Sequence, residues 1–413
     1  MGAPSARVHE LSREWVRLGH DVTVLTAFAH HPAGIKAPAD RGVLTRRERI
    51  DGIDVVRTYV YAAPNKGTVK RMLSYASFMC SSALIGPYRI SEPDVVIATS
   101  PQLLCAASGF FLSRVLKCPF IFEVRDLWPE SILAVNAMND NALVLGLKNL
   151  ARHLYVNCDR IVTVGEGYRR MIEELYSIDP SKMDVIPNGI DRHLFTPAPR
   201  DNTIREKYGW VDRFVIMYVG THGMAHGLDS VLAAAKDLRN SPEFLFVFVG
   251  EGAEKEHLKK LAAVENLSNV VFVEQQSKEL VPQFYAACDL GLVTLRDAPL
   301  FQEVLPSKLF EYMGMEKPVL VTVGGEVKRL IEDSRAGEYV PPGNAPAMAA
   351  AIRRLALKPA ALAEMGRNGR AYVLEHFDRQ RLAGKYLSVL ENVVRGKSPA
   401  QDSVAVTPHA PSQ

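Results

Sequence analysis

Short apolar runs alternate with longer segments in which apolar residues recur at helical spacing. The runs at 94–99, 119–124 and 160–164 predict buried strands, with helices over 103–116 and 142–157 between them. Strands that are apolar throughout are typical of a parallel sheet whose two faces are both covered by helices. The first half of the chain is therefore predicted to be an α/β domain.

A second run of the same kind occupies the other half of the chain. Its predicted strands lie at 214–219, 244–249, 270–273, 290–294 and 318–323, and 337–342 closes the sheet. Helices are expected near 346–357, 360–372 and 378–394. The pattern thus predicts two large domains, 1–190 and 213–372, joined by the proline-rich polar linker 191–212. Residues 397–413 have the composition of a disordered tail.

The start of the chain departs from this pattern. Turn residues lead directly into a helix, whose predicted buried face consists of Val8, Leu11, Trp15 and Leu18. The first strand, 22–26, comes only after that helix. A doubly wound sheet normally has a strand before its first helix. The first strand of the N-terminal domain is thus missing from the predicted pattern. We expect the start codon to lie upstream, and the alternative is a chain that lacks the central first strand of the sheet.

The 413 residues carry a net charge of +3 and have a sequence pI near 8.5. This balance, with no basic residues interleaved with aromatic ones, argues against nucleic-acid binding. Five scattered cysteines without paired spacing indicate reduced cytosolic thiols and no zinc site. The sequence has neither a signal peptide nor a run of ~20 apolar residues. The composition therefore predicts a cytoplasmic globular protein.

One segment keeps a membrane role open. Lys66, Lys70 and Arg71 lead into an apolar helix with interleaved serines over 66–88. That helix is too polar to cross a bilayer, but it fits an anionic membrane surface with its basic end toward the headgroups. An ordinary domain helix with a solvated basic end fits the same residues equally well.

The stretch 301–315 carries the strongest candidate chemistry. Glu303 and Glu311 stand eight residues apart, and Pro306 between them suits the start of a helix whose first turn contains Lys308. A helix N-terminus attracts phosphate because its N–H groups are unsatisfied and its dipole is positive there. Carboxylates beside it can accept hydrogen bonds from sugar hydroxyls. The stretch therefore fits a nucleotide-sugar, although an ordinary solvated helix with a capped start has the same signature.

Further polar residues follow the predicted strands of the second domain. Those at the carboxyl ends include Gly220, His222, Gly250, Glu251 and Arg296. Parallel α/β domains bind ligands at these ends, so we expect the active site in a cleft between the two domains. Neither domain has the complete G-x-G-x-x-G fingerprint or a Walker lysine motif. A nicotinamide oxidoreductase and an ATP-dependent enzyme are therefore not supported.

Four motifs together resemble one family. They are the Glu303-x7-Glu311 stretch with PSKLFEYMGMEKPVL, VGEG at 249–252, VIPNGID at 185–191 and GHDVTVLT at 19–26. The combination resembles the retaining GT-B glycosyltransferases of family 4, the large sucrose-synthase and mannosyltransferase family, over nearly the whole chain apart from the tail. The resemblance implies two Rossmann-like parallel-sheet domains that face a cleft. GAPSAR, EVRDLWPES and YVGTHGMAHGLD look most like a subgroup that transfers N-acetylated aminosugars in bacterial surface polysaccharide assembly.

The resemblance also implies roles for individual residues. Glu311 matches the carboxylate that binds ribose hydroxyls, and Glu303 matches the one that contacts the donor hexose. Backbone amides near Val304 and Leu305 are implied to help hold the hexose and the phosphates. The last helix, over 373–396, is implied to cross back onto the first domain.

The diphosphate-binding groups depart from the family pattern. The family commonly has an arginine and a lysine after the first strand of the second domain, where this chain has His222 and His226. We expect Lys308 and Arg296 to supply the charge together with backbone N–H groups, and the loop of Gly2 is implied to lie under the phosphates. The alternative for the two histidines is that they are solvated turn residues.

A second departure lies in the first domain. The family often has His-Asp where this chain has Arg125-Asp126. The role of the sugar-contacting histidine is therefore expected to pass to Arg125 or Asp126, and these two with Glu303 are the predicted catalytic residues. For Asp126 the alternative is an N-cap of the helix that follows Trp128-Pro129.

The resemblance and the motifs together predict a retaining transfer of an aminosugar. The expected donor is UDP-linked, and the expected acceptor is a lipid-linked saccharide at the inner face of the cell membrane. No Asp-x-Asp motif stands out at a strand end, so no metal or other cofactor is expected. A nucleotide-sugar epimerase, a nucleotide-sugar hydrolase and a catalytically silent partner subunit remain open. The intact Glu303, Lys308 and Glu311 favour the transferase.

Overall fold

The computed structural model describes residues 3–30, 34–62, 68–134 and 141–396. Within these residues the helices are α1 (Ala3–Arg17), α2 (Thr68–Ile85), α3 (Leu103–Leu116), α4 (Glu130–Ala134), α5 (Ala142–Asn157), α6 (Glu166–Tyr176), α7 (Thr203–Tyr208), α8 (Leu228–Asp237), α9 (Lys255–Val264), α10 (Val281–Ala287), α11 (Ser307–Gly314), α12 (Gly325–Ser334), α13 (Ala345–Ala356), α14 (Pro359–His376) and α15 (Arg379–Val394). The strands are β1 (Thr23–Ala27), β2 (Thr45–Ile50), β3 (Ile53–Thr58), β4 (Val96–Thr99), β5 (Phe120–Val124), β6 (Arg160–Thr163), β7 (Met183–Val185), β8 (Phe214–Val219), β9 (Phe244–Val249), β10 (Val270–Val273), β11 (Leu290–Val293), β12 (Val319–Val321) and β13 (Gly337–Tyr339). Gly2, Lys66 and the predicted tail lie outside the described residues.

The described residues form two compact units. Unit 1 contains 3–11, 130–134 and 187–382, and unit 2 contains 12–30, 34–62, 68–129, 141–186 and 383–396. Helix α1 is divided between the units after Leu11, and α15 is divided after Leu382. The two units are described separately below.

Unit 1 is built on a parallel sheet with the strand order β10-β9-β8-β11-β12-β13. The central strands β8, β9 and β11 are buried almost throughout, as their apolar sequences predict. In the register of the sheet Val215 pairs with Leu245, and Leu290 pairs with Ile216. Helices α8, α9 and α13 cover one face with a continuous apolar core. Because the strands are parallel, the loops after β8, β9 and β11 leave the sheet at one edge.

Unit 2 contains two sheets in its described residues. Strands β4 to β7 form a parallel sheet in sequence order, which confirms the strand and helix alternation predicted for this half. Strand β1 pairs in parallel with β3, and β3 pairs in antiparallel with β2. The first described element is α1, and β1 follows it.

Helix α1 corrects one detail of the predicted buried face. Leu11 and Trp15 are buried, and the Trp15 indole donates a hydrogen bond to the Ala383 carbonyl at 3.0 Å. Leu18, however, is 48% exposed. The helix ends at Arg17, so Leu18 lies in the turn that follows and no longer shares the helical face.

The segment predicted to be a linker is an ordered part of unit 1. Residues 191–212 include α7, and Arg205 on that helix is fully buried. The Arg205 guanidinium donates to the Ala287 carbonyl at 2.9 Å and forms an ion pair with Asp289. A buried ion pair of this kind fixes the segment against α10 and β11, which the polar, proline-rich sequence did not indicate.

Candidate functional site

The carboxyl edge of the unit 1 sheet brings two predicted loops into direct backbone contact. Gly220 ends β8 with φ of 141°, and Gly250 ends β9 with φ of 142°. A Cβ atom on Gly250 would lie 2.0 Å from the Gly220 carbonyl oxygen, and one on Gly252 would lie 2.2 Å from the His222 carbonyl oxygen. The sequence placed Gly220 and Gly250 at the strand ends where a ligand is expected. In the structure the lack of a Cβ atom on the glycines lets the loops after β8 and β9 lie in direct contact.

Lys308 projects from the first turn of α11 into this edge. Its Nζ is buried, has no hydrogen-bond acceptor among the described residues and lies 3.6 Å from the centre of the Tyr218 ring. A cation at this distance from an aromatic face gains only modest stabilisation. Burial therefore lowers the pKa of the Lys308 ammonium to about 7, and the nearby Glu311 carboxylate opposes the shift only in part.

His222 and His226 surround the same tyrosine. Their ring centres lie 5.9 Å and 5.8 Å from that of Tyr218. His222 is fully buried, and neither of its ring nitrogens has a hydrogen-bond partner in the described part of the chain. Nδ1 of His226 also has none there, and the His226 carbonyl accepts a hydrogen bond from Thr294 at 2.7 Å. The alternative of a solvated turn histidine is therefore wrong for His222, whereas His226 is half-buried.

Both histidines are neutral at pH 7. Burial, followed by the charge of Lys255, lowers the pKa of His222 to about 4. Burial, followed by the charge of Lys308, lowers the pKa of His226 to about 3. We call Lys308, His222 and His226 the nitrogen cluster. Its members can donate hydrogen bonds to an anion, and at pH 7 the two histidines are neutral while Lys308 is about half protonated.

Glu311 lies beside the nitrogen cluster, one turn further along α11. Its Oε2 accepts a hydrogen bond of 2.5 Å from the Tyr285 hydroxyl on α10. Burial raises the pKa of Glu311, while that hydrogen bond and the charges of Lys308 and Lys278 lower it. The second oxygen of the carboxylate can accept a hydrogen bond from a ligand hydroxyl. The sequence named Glu311 but gave no sign of Tyr285.

The segment before α11 holds the other predicted donor-binding groups. Glu303 is the last residue of a 3-10 helix, Pro299–Glu303, and is half-buried. The extended residues Val304 and Leu305 follow, and no group in the described ranges accepts a hydrogen bond from their backbone N–H. The helix itself starts at Ser307, with Pro306 at the N-cap position and no side-chain cap. These free N–H groups fit the predicted contact with a hexose or phosphate.

Glu251 and Arg296 belong to the surroundings of the cluster. Glu251 Oε1 accepts a hydrogen bond of 2.5 Å from the buried Lys255 ammonium, which also reaches Glu274 at 2.8 Å. Its charge is therefore matched within the protein. The side chain of Arg296 is exposed, and its backbone N–H donates to Ala225 at 2.8 Å. These contacts do not involve Lys308, with which the sequence had grouped Arg296 as a source of positive charge.

The predicted catalytic pair of unit 2 follows β5. The backbone N–H groups of Arg125 and Asp126 both donate to the Ser100 hydroxyl, at 3.0 Å and 3.2 Å, and Ser100 donates in turn to the Asp126 carbonyl at 2.8 Å. Both side chains are half-buried. Helix α4 begins at Glu130, so its N-cap position falls on Pro129. The alternative that Asp126 caps this helix stays a prediction, beside its proposed contact with the sugars.

Two protein-family profiles match most of the chain between them. Residues 5–194 match the profile described as Glycosyltransferase Family 4, and residues 200–372 match the one described as Glycosyl transferases group 1. The chain belongs to these GT-B glycosyltransferase families. The prediction of a GT-B glycosyltransferase is thereby confirmed.

Individual relatives agree with this assignment. The chain is 27% identical to a protein named as the glycosyltransferase WbjE of Pseudomonas aeruginosa, over 64% of this chain and 66% of that protein. It is 26% identical to the colanic acid biosynthesis glycosyl transferase WcaI of Escherichia coli, over 84% of this chain and 87% of that protein. Its nearly full length is thus shared with a bacterial glycosyltransferase.

Solved structures confirm the predicted GT-B fold. Sucrose-phosphate synthase from Thermosynechococcus elongatus matches with a TM-score of 0.75 at 18% identity, over 96% of this chain and 94% of that one. Anabaena HepE, solved in complex with UDP-glucose, matches with a TM-score of 0.69 at 16% identity, over 90% of this chain and 100% of that one. Within the fold, unit 1 is the half that carries the nitrogen cluster.

Proposed function

We propose that this glycosyltransferase moves an N-acetylated aminosugar from a UDP-linked donor to a lipid-linked saccharide, with retention of configuration. The observation that carries the proposal is the group of buried nitrogens on Lys308, His222 and His226 with no acceptor in the described residues, beside Glu311. Buried polar atoms normally have partners, so these nitrogens suit an anionic ligand. The diphosphate of a nucleotide-sugar is such an anion.

Each part of the donor has a matching group in the proposal. The diphosphate lies against the nitrogen cluster and the N–H groups of Val304 and Leu305. The ribose hydroxyls donate to Glu311, whose carboxylate Tyr285 already holds in place. Glu303 contacts the donor hexose. Holding the donor at all three points fixes the sugar for attack.

The names of relatives support the wider role. WcaI is named for colanic acid biosynthesis, and TuaH of Bacillus subtilis, which is 22% identical over 49% of this chain, is named for teichuronic acid biosynthesis. HepE was solved with UDP-glucose. We therefore place this chain in the assembly of a bacterial surface polysaccharide with a UDP-linked donor.

The proposed mechanism is front-face attack, in which the leaving diphosphate helps to deprotonate the acceptor. The protein contributes positioning and stabilisation of the departing diphosphate. Arg125 and Asp126 are assigned to the sugars, as the resemblance implies. The nitrogen cluster takes the place of a metal ion at the diphosphate, so turnover in EDTA is expected to be unchanged. Loss of turnover in EDTA would contradict this part of the proposal.

Helix α2 is proposed to rest on an anionic lipid surface. No helix in the described residues is long and apolar enough to span a bilayer. On α2, Val69, Leu73 and Leu84 are 73%, 53% and 71% exposed, and Lys70 is exposed at the same end as Val69. Apolar side chains next to a basic end suit the headgroup region of an anionic bilayer. Failure to co-sediment with anionic liposomes at low salt would contradict direct attachment.

Calorimetric titration with UDP, GDP and their sugar derivatives tests the donor site. We expect UDP compounds to bind more tightly, and Glu311→Ala to weaken their binding by ~1–3 kcal/mol because a buried charged acceptor is lost. Glu256→Ala, on the exposed face of α9, is the control and should change nothing.

The remaining outcomes separate the competing functions. A preference for GDP keeps the fold and mechanism but overturns the donor assignment. Consumption of the donor without an acceptor indicates an epimerase or a hydrolase. No binding of any nucleotide to the folded chain indicates a catalytically silent subunit.

A further inference from the structure

The nitrogen cluster has an unusual charge balance for a diphosphate site. Around Tyr218 stand three titratable side chains that are cationic only when protonated, and two of them are histidines with low pKa values. Besides burial and a backbone hydrogen bond, the groups that shift the pKa values of the three are lysines, glutamates and His222. A nucleoside diphosphate therefore enters a site whose own positive charge depends on protons.

Side chains on α11, on β8 and in the loop after β8 face Lys308. Glu311 lies on the same helix, Tyr218 is on β8, and His222 and His226 are in the loop after β8. Of these, only Glu311 carries a negative charge, and Tyr285 occupies one of its oxygens.

His222 also faces the loops after β9 and β10. Lys255 and Lys259 lower its pKa, and Glu274 raises it. Lys255 is itself paired with Glu251 and Glu274, so little net charge reaches the cluster from this side.

We propose that diphosphate binding is coupled to protonation of this site: when the diphosphate binds, Nζ of Lys308 takes up one proton from solvent. No covalent bond forms or breaks. The neutral amine of Lys308, the anion and one proton combine into an ammonium–diphosphate pair, while the two imidazoles donate as neutral N–H groups. The proposal rests on the proposed donor site and adds to it the coupling of donor binding to pH.

The physical reason is the cost of burying charge. An ammonium without an acceptor is unfavourable in a buried site, and an uncompensated diphosphate is more so. When both are present, each removes the penalty of the other, because an opposite charge within a few ångströms favours the ionised form. With a pKa of about 7 for the free protein, Lys308 is mostly neutral at pH 8.5 and mostly protonated at pH 6. The uptake of a proton should therefore appear only on the alkaline side.

Isothermal titration with UDP-glucose and UDP-N-acetylglucosamine in two buffers of different ionisation enthalpy measures the proton directly. These ligands have no ionisation of their own near neutral pH. We expect close to one proton taken up per ligand at pH 8.5 and far less at pH 6. The dissociation constant should rise about tenfold between pH 7 and 8.5.

Two variants of Lys308 make the test specific. Lys308→Arg carries a permanent charge, so it should bind without proton uptake and with an affinity that does not change over this pH range. Lys308→Met should bind more weakly and also without uptake at pH 8.5. Lys260→Met, an exposed lysine on α9, should behave as wild type.

The outcomes distinguish this proposal from the proposed function. Binding to wild type with no proton exchange at pH 8.5 overturns the proton coupling and leaves the donor site intact. Proton uptake that persists in Lys308→Arg would show that another group takes the proton, and this result also overturns the proton coupling at Lys308. Failure of every UDP-sugar to bind overturns the donor site itself, and the proton coupling with it.

Discussion

Two buried lysines at the same edge of the unit 1 sheet have opposite surroundings. Lys255 is 2% exposed, and its ammonium reaches Glu251 at 2.5 Å and Glu274 at 2.8 Å. Burial acts to lower the pKa of Lys255, but the hydrogen bonds to these carboxylates outweigh it and raise the pKa. Lys308 is buried at its Nζ with an aromatic ring instead of a carboxylate, and its pKa falls to about 7.

The difference indicates that the charge of Lys255 stabilises the fold, whereas that of Lys308 is available to a ligand. A buried cation with carboxylate partners is a self-contained ion pair, and its removal mainly affects stability. A buried cation with no acceptor destabilises the free protein and is retained where a ligand compensates it. The sequence predicted that Lys308 supplies charge at the diphosphate, and the contacts of the two lysines show how their surroundings differ.

The largest expected effect on stability comes from a substitution that forces apart the loops after β8 and β9. Gly250→Ala places a Cβ atom 2.0 Å from the Gly220 carbonyl oxygen. It also forces alanine to adopt the φ of 142° that Gly250 has. We expect a loss of about 3–5 kcal/mol, from overpacking and backbone strain together. Thermal unfolding measures it. Gly223→Ala, where a Cβ meets only ordinary contacts at 3.6 Å, is the matched control. Equal melting temperatures for the two variants would show that the loops can move apart freely.

The next effect is a pH-dependent gain of stability in Lys308→Met. The pKa of Lys308 is about 7 in the folded protein and near 10.5 when exposed. Well below pH 7 the ammonium is charged in both states, so folding carries the full cost of burying it, roughly 3–5 kcal/mol. As the pH rises from 7 to 10.5 the folded protein releases the proton first, and the cost disappears.

Denaturant unfolding of wild type and Lys308→Met at pH 6.5 and pH 10 checks this sign. The variant should be more stable at pH 6.5, and the two proteins should converge at pH 10. A variant that is less stable than wild type at pH 6.5 would mean that Lys308 has a partner that stabilises its charge.

A smaller effect is expected from the hydroxyl that holds Glu311. Tyr285→Phe removes the hydrogen bond to Glu311 and keeps the ring, so UDP binding should weaken by ~1 kcal/mol, about fivefold. Tyr312→Phe removes a hydrogen bond of 2.6 Å to the Met217 carbonyl and is the matched control. It should lower the melting temperature without changing the affinity. Equal affinities for the two variants would remove Tyr285 from the site.

The smallest effect concerns the paired lysine. Lys255→Met breaks contacts to two carboxylates that face solvent, with side chains 42% and 70% exposed. Such pairs contribute little, so we expect a loss of about 1 kcal/mol in stability. Lys259→Met on the same helix should change stability by less than about 0.5 kcal/mol. Chemical denaturation of both variants provides the comparison.

The sequence predicted the parts of the site that depend on local signals. Pro306 before an amphipathic run predicted a helix start, and the structure begins α11 one residue later, with Lys308 in its first turn. The apolar runs predicted β8 and β9 with the bounds that the structure gives them. Helix starts and buried strands follow from neighbouring residues, so one sequence suffices to find them.

Local sequence signals did not predict the contacts that determine the chemistry of the site. Tyr285 reaches Glu311 because α10 packs beside α11, and Tyr218 lies under Lys308 because β8 ends at that edge. Burial of His222 depends on the loop after β9, which closes over it through Gly252. Each of these depends on packing between segments far apart in sequence, which hydrophobic periodicity does not report.

The most direct test of the account is the affinity of Lys308→Met and Lys255→Met for UDP at pH 7, measured side by side by calorimetry. If Lys308 is the side chain that compensates the charge of the bound diphosphate, its variant should bind about 10- to 100-fold more weakly, the range expected for a lost charged hydrogen bond. Lys255→Met should bind within about twofold of wild type. Equal losses, or a larger loss in Lys255→Met, would contradict the distinction between a lysine that serves the fold and one that serves the ligand.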